Sequence, residues 1–174
     1  QIFSLDVYKI IKVYNIVIGG MIMKDGYIRI AAASFDTNIA DIKNNSLQIC
    51  KLIDQAYENK AKIIVFPELC LTGYTCEDLF NQDRLLNEAK FQLQNIIEKT
   101  INKDIIVVVG LPYQHLNSLY NVAAIIHSGK LLGLVPKTHV PNYQEFYEAR
   151  RFEKAPSKNT TVFLMVKLFH LVLN

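Results

Sequence analysis

The stretch AKIIVFPELCLTGYTCEDLF, residues 61–80, turns from apolar to polar within two positions. Ile63, Ile64 and Val65 are a β-branched run, and Pro67 lacks the amide needed to continue a ladder, so 61–68 reads as a buried strand that ends there. Glu68 follows at once. A carboxylate just past the carboxyl end of such a strand stands where α/β folds gather their sites, and it can serve as a general base. The alternative reading is a glutamate that caps the following turn.

The flanking text supplies the rest of a layered fold. Residues 27–34 (YIRIAAAS) read as a short apolar strand. Residues 41–60 place Leu47, Cys50, Leu52, Ile53 and Ala56 near helical spacing with charges between them, the pattern of an amphipathic helix. A second helix is expected over 84–101, with Leu85, Leu86, Ala89, Leu93, Ile96 and Ile97 inward. The β-branched run at 104–113 closes on Gly-Leu-Pro, and 119–137 reads as a hairpin about Ser128-Gly129. Strands alternate with helices before the hairpin joins, which implies an α/β domain with a mixed sheet.

Bulk composition narrows the function. The chain has 174 residues, enough for one domain, and its 51% hydrophobic and 20% charged content is that of a globular protein. The net charge of +3 is spread along the chain, without the basic face that nucleic-acid binding requires. Three cysteines, at 50, 70 and 76, form no CxxC pair and have no histidines at zinc spacing, so a metal site is not expected and free thiols in a cytoplasmic setting are. His115, His127, His139 and His170 are too scattered to hold a metal, and no phosphate-binding loop occurs. The longest uncharged run near the start, 13–23, is too short to span a bilayer, so no membrane partner is expected.

Two further ionisable groups bear on Glu68. Lys137 ends another strand, LLGLVPK, again directly after a proline. Two strands each delivering a group of opposite charge after a proline exceed what capping needs. Glu145 follows in a segment with Pro141, Asn142 and two tyrosines, a loop by composition. It could swing back to the lysine or be an ordinary surface glutamate.

Four segments, FPELCLTGYTCEDLF, VVVGLPY, LYNVAAIIHSGKLLGLVPK and KTHVPNYQEFYEARRF, resemble the carbon–nitrogen hydrolase (nitrilase) superfamily in order and spacing. Within it they are most similar to the glutaminase domains of glutamine-dependent NAD synthetases, over residues 24–160. The resemblance implies a four-layer α-β-β-α sandwich, here incomplete, and a Glu-Lys-Cys thioester mechanism. It matches Glu68 to the general base, Lys137 to the cation that favours the thiolate and steadies the oxyanion, and Glu145 to the glutamate that holds the lysine. Tyr74 and Tyr143 match tyrosines that line a glutamine pocket. A nearby ammonium lowers a thiol's pKa and a fixed positive group stabilises developing charge, so these roles agree with the chemistry.

The resemblance places the nucleophile after a later strand, beyond the matched region. Cys76 in TCEDLF belongs to the first motif, Cys50 is on a helix face, and Cys70, two positions from Glu68, is a secondary candidate. The expectation is therefore a glutaminase portion that lacks its cysteine and is inactive alone. L-Glutamine is the implied substrate, with a missing synthetase domain and a homo-oligomeric full-length protein as implied partners. No cofactor is implied for the glutaminase part; ATP and magnesium belong to the synthetase domain. Other readings are another hydrolase of small amides or nitriles, and a non-catalytic module that associates with intact subunits. Residues 1–22 are expected to be an extension outside the domain, with Met23 as the natural start, 23–162 the partial domain, and 163–174 an apolar tail. That tail reads as a final buried strand or helix, or as out-of-frame text, since suitable codons shifted by two nucleotides would restore family-like sequence.

Overall fold

A computed structural model describes residues 11–17, 27–142, 147–156, 160–164 and 167–171. Its centre is five strands: β2 (Tyr27–Ala33), β3 (Ile63–Val65), β4 (Ile106–His115), β5 (Ser118–His127) and β6 (Lys130–Pro136), adjacent in that order. The first three run parallel and the last two join antiparallel as a hairpin. Strand β1 (Ile11–Val17) pairs antiparallel with β2, and the hairpin β7 (Thr160–Leu164) and β8 (Lys167–Leu171) sits beside β6. β1 thus lies in the segment expected to stand outside the domain. Met23 lies outside the described residues.

Helix α1 (Ile42–Glu58) crosses from β2 to β3 and α2 (Asp83–Lys99) from β3 to β4. Successive parallel crossovers in one direction are right-handed and put both helices on one face of the sheet. Asp41 caps α1 by accepting from the Asn44 amide at 3.2 Å. The face of α1 toward the sheet is Ile42, Ile49, Leu52, Ile53 and Ala56, while Leu47 is 59% exposed, contrary to its expected inward place. Ile42 sets the phase, and position 47 then falls on the outer side of the 3.6-residue repeat. On α2 all six expected residues, Leu85, Leu86, Ala89, Leu93, Ile96 and Ile97, are buried. They belong to one buried cluster with Val107, Val109, Leu111, Val122, Ala124 and Ile126, the alternate positions of β4 and β5 on the buried face of the sheet. Burying one such side chain stabilises by about 1.5–3 kcal/mol, so these rows hold the helix layer on the sheet.

The hairpin turn at Ser128-Gly129 has φ of 46° and 75°, the left-handed pair that matches the twist of the flanking strands. No helix among the described residues is long and apolar enough to cross a membrane.

Candidate functional site

Strand β3 is shorter than the sequence implies. It stops at Val65, and Phe66 makes one last ladder bond to the Val108 carbonyl at 3.0 Å. Residues 67–73 then fold into consecutive tight turns, with Cys70, Thr72 and Gly73 amides returning to the Pro67 and Leu69 carbonyls. Leu69 takes φ of 50°, a left-handed conformation that costs a bulky residue energy and survives only where neighbours enforce it. The neighbour is β4. A Cβ on Gly110 would lie 2.5 Å from the Leu69 nitrogen and 2.7 Å from the Pro67 carbonyl oxygen, so only glycine lets this loop rest directly on the strand. From the other side Asn45, fully buried on α1, donates to the Asn38 and Leu71 carbonyls at 2.7 and 3.1 Å. Glu68 is therefore carried on a loop fixed by strand and helix together.

β4 leads into the hairpin, and β6 runs parallel to β3, so the ends of β3 and β6 emerge at the same edge of the sheet. Lys137 follows β6 and puts Nζ 2.7 Å from Glu68 Oε1. The same ammonium donates to Glu148 Oε2 at 2.9 Å and Oε1 at 3.1 Å. Burial alone disfavours the charge on Lys137, but its bonds to Glu68 and Glu148 outweigh that and hold its pKa above the ordinary lysine value. Glu148, 7% exposed, begins a short 3-10 helix (Glu148–Arg150) and also accepts from the Tyr74 hydroxyl at 2.5 Å. Burial, followed by that carboxylate, pushes the Tyr74 phenol up, so it stays protonated and donates. Arg151 next to this helix reaches Glu77, which ties the segment back to the loop that follows Glu68.

Beside these groups lies a cavity of about 380 Å³ on the sheet face away from the helices. Phe66, Pro67, Val108 and Val135 form apolar walls, and Glu68, Asn121 and Lys137 supply polar atoms. A concave, mostly apolar site with a few convergent polar groups suits a small molecule.

Of the sequence-predicted residues, Glu68 and Lys137 meet and Tyr74 joins them through Glu148. Tyr143 and Glu145 lie outside the described residues. Glu148 was not anticipated: EFYE holds two glutamates, and composition alone does not rank them. Asn121 and Gly110 were also missed, although a glycine inside the β-branched run VVVGLPY signals close approach of another backbone.

The cysteines stand apart from these groups. Cys70, 2% exposed, points its thiol at the Gly110 carbonyl at 3.6 Å, because the strand that would have aimed it beside Glu68 ends at Val65. Burial pushes that thiol up to about 12. Cys76 is buried against the Thr72 carbonyl at 3.0 Å, and burial raises both its pKa and that of Cys50 on α1. Among the described residues no three His, Cys, Asp or Glu side chains cluster for a metal.

The glutamine-dependent NAD(+) synthetase of Aquifex aeolicus is 42% identical over 127 residues, 73% of this chain and 22% of that relative. The enzyme of the same name from Mycobacterium bovis is 35% identical over 137 residues, 79% of this chain and 20% of that relative. The chain thus spans about a fifth of the length of these relatives. The crystal structure of a glutamine-dependent NAD(+) synthetase from Cytophaga hutchinsonii superposes with a TM-score of 0.78 at 31% identity, over 83% of this chain and 25% of that one. An amidase from Nesterenkonia sp. shares the fold, with a TM-score of 0.65 at 18% identity over 87% of this chain and 57% of that one. The carbon-nitrogen hydrolase family model matches residues 29–168, and the chain belongs to that family.

Proposed function

We propose that this chain supplies the base, the cation and part of the substrate pocket of a glutamine amidohydrolase, the ammonia-supplying part of a glutamine-dependent NAD synthetase. The observation that carries the reading is the 2.7 Å contact between Glu68 and Lys137 beside an apolar cavity, in a chain similar to synthetases of that name. In this reading Glu68 takes the proton from a cysteine thiol, and the thiolate attacks the carboxamide carbon of L-glutamine. The Lys137 ammonium stabilises the oxyanion that forms. As the carbon–nitrogen bond breaks, Glu68 returns the proton to the leaving nitrogen, which departs as ammonia and leaves a thioester. Water then attacks, again with Glu68 as base, and releases glutamate and the thiol.

Glu148 keeps Lys137 charged and in place. The resemblance gives Glu145 the same task and puts Tyr74 and Tyr143 at the substrate. None of Cys50, Cys70 and Cys76 is the nucleophile in this proposal, since each thiol is held protonated by burial and Cys70 and Cys76 are turned onto backbone carbonyls. ATP and magnesium are assigned to a synthetase region, and the working protein is a cytoplasmic homo-oligomer.

The test is glutamine-dependent ammonia release by the full-length protein that contains this chain, compared with a small aliphatic amide and a nitrile. Glutamine should be preferred, and Glu68→Gln or Lys137→Ala should each cost about 10³-fold or more in kcat while the far-UV spectrum is kept. Parental turnover by either variant sinks the role given to that residue. Preference for the amide or nitrile favours the other hydrolase reading.

A further inference from the structure

Glu68 Oε1 carries two donors at once, the Lys137 ammonium and the side-chain amide of Asn121. Glu68 Oε2 has no hydrogen-bond partner among the described residues. Asn121 is near the start of β5, and only 4% exposed. Its amide orientation is dictated by its neighbour, because the oxygen of the amide would repel a carboxylate at that position whereas Nδ2 donates to it. The backbone of the same residue is engaged as well: the Asn121 carbonyl accepts from the Lys137 amide at 2.8 Å. One residue therefore fixes the carboxylate through its side chain and the start of the lysine segment through its main chain.

We propose, on the reading that Glu68 is the base, that Asn121 is a positioning residue that assigns the two Glu68 oxygens different tasks. Oε1 is anchored by Asn121 and Lys137, and Oε2 is left as the atom that accepts and returns the proton. Without the Asn121 donor, Oε1 keeps a single anchor on a long, flexible lysine, and the carboxylate of Glu68, 43% exposed, turns away from the reacting thiol. Misplacement on that scale costs about 10²-fold in rate without weakening substrate binding.

The experiment uses the full-length protein and glutamine turnover. Asn121→Leu removes the donor at similar volume, and Asn121→Asp keeps the shape while replacing the donor with an acceptor. Each should lower kcat about 10²-fold and leave KM within about threefold. Because Asn121 acts through Glu68, the doubles Glu68→Gln/Asn121→Leu and Glu68→Gln/Asn121→Asp should be no slower than Glu68→Gln alone. A merely structural asparagine would instead multiply the losses, and that result overturns the proposal. Parental kcat in the single variants, beside an inactive Glu68→Gln, also overturns it. Parental turnover by Glu68→Gln itself removes the base reading and this proposal with it. If Asn121→Leu does not fold, the Asn121→Asp pair decides by the same comparison.

Discussion

Glu68 Oε1 and Lys137 Nζ stand 2.7 Å apart across 69 positions of sequence, and Glu148 closes the group on the far side of the ammonium at 2.9 Å. Lys137 is thus the centre of a carboxylate–ammonium–carboxylate arrangement in which Glu148 is buried and Glu68 faces the cavity. In the proposed function, a cation so held keeps its position while Glu68 takes and returns a proton.

Lys137→Met should leave Glu148 without its counterion. Removing one member of a buried pair costs about 3–5 kcal/mol, and solvent at Lys137 and Glu68 reduces this to roughly 2 kcal/mol. Glu148→Gln added to Lys137→Met should recover part of the loss. Urea denaturation of the single and double variants measures both effects, and an unchanged midpoint for Lys137→Met would count against the arrangement.

Gly110→Ala forces a methyl group against the backbone of residues 67–69. Backbone cannot rotate away as a side chain can, so a loss of about 1–3 kcal/mol is expected, with Glu68 displaced. Val109→Ala, one position earlier and facing the helices, should cost stability by lost burial yet keep Glu68 in place. The comparison needs thermal melts together with glutamine turnover: Gly110→Ala should lose far more activity than Val109→Ala at equal stability.

Cys70 should react slowly. Its thiol, raised by burial from 9.0 to about 12, holds almost no thiolate at pH 8. Iodoacetamide should modify it only after denaturation, and Cys70→Ala should leave glutamine turnover unchanged. Fast modification of the native protein at Cys70, coupled to loss of activity, would make it the nucleophile.

Alkali should destabilise the fold. The unfolded chain gives up the Cys70 proton near pH 9.0 whereas the folded one keeps it until about 12, so stability falls as pH rises through that window. Lys137, raised above its ordinary 10.5, adds stability that is complete below pH 10.5 and lost as pH rises through its folded value. Melting temperatures should therefore drop progressively above pH 9, and Cys70→Ala should flatten the first part of that drop. An equal slope in both proteins would exclude Cys70 as a contributor.

Tyr74→Phe keeps the ring and removes the donor to Glu148. A loss of about 1 kcal/mol in stability is expected, small because the tyrosine is 41% exposed. KM for glutamine should stay within about threefold, whereas Tyr74→Ala should raise it through the missing ring. A large KM change in Tyr74→Phe would place the hydroxyl on the substrate.

The sequence by itself determined the succession of strands and helices between residues 27 and 136, the inward face of α2, the hairpin turn and the pairing of Glu68 with Lys137 as groups that follow strands and prolines. These are local signals: β-branched runs, a helical repeat and a ring that cannot donate leave their mark within a few residues. Tertiary structure alone decided what depends on contacts between distant segments. It ended β3 at Val65 and thereby turned Cys70 inward, and it brought Glu148 to Lys137. It also placed Asn121 on one oxygen of Glu68 and Gly110 beneath its loop. A side chain's neighbours across the sheet are set by strand order and register, and neither is written in the residues that surround it.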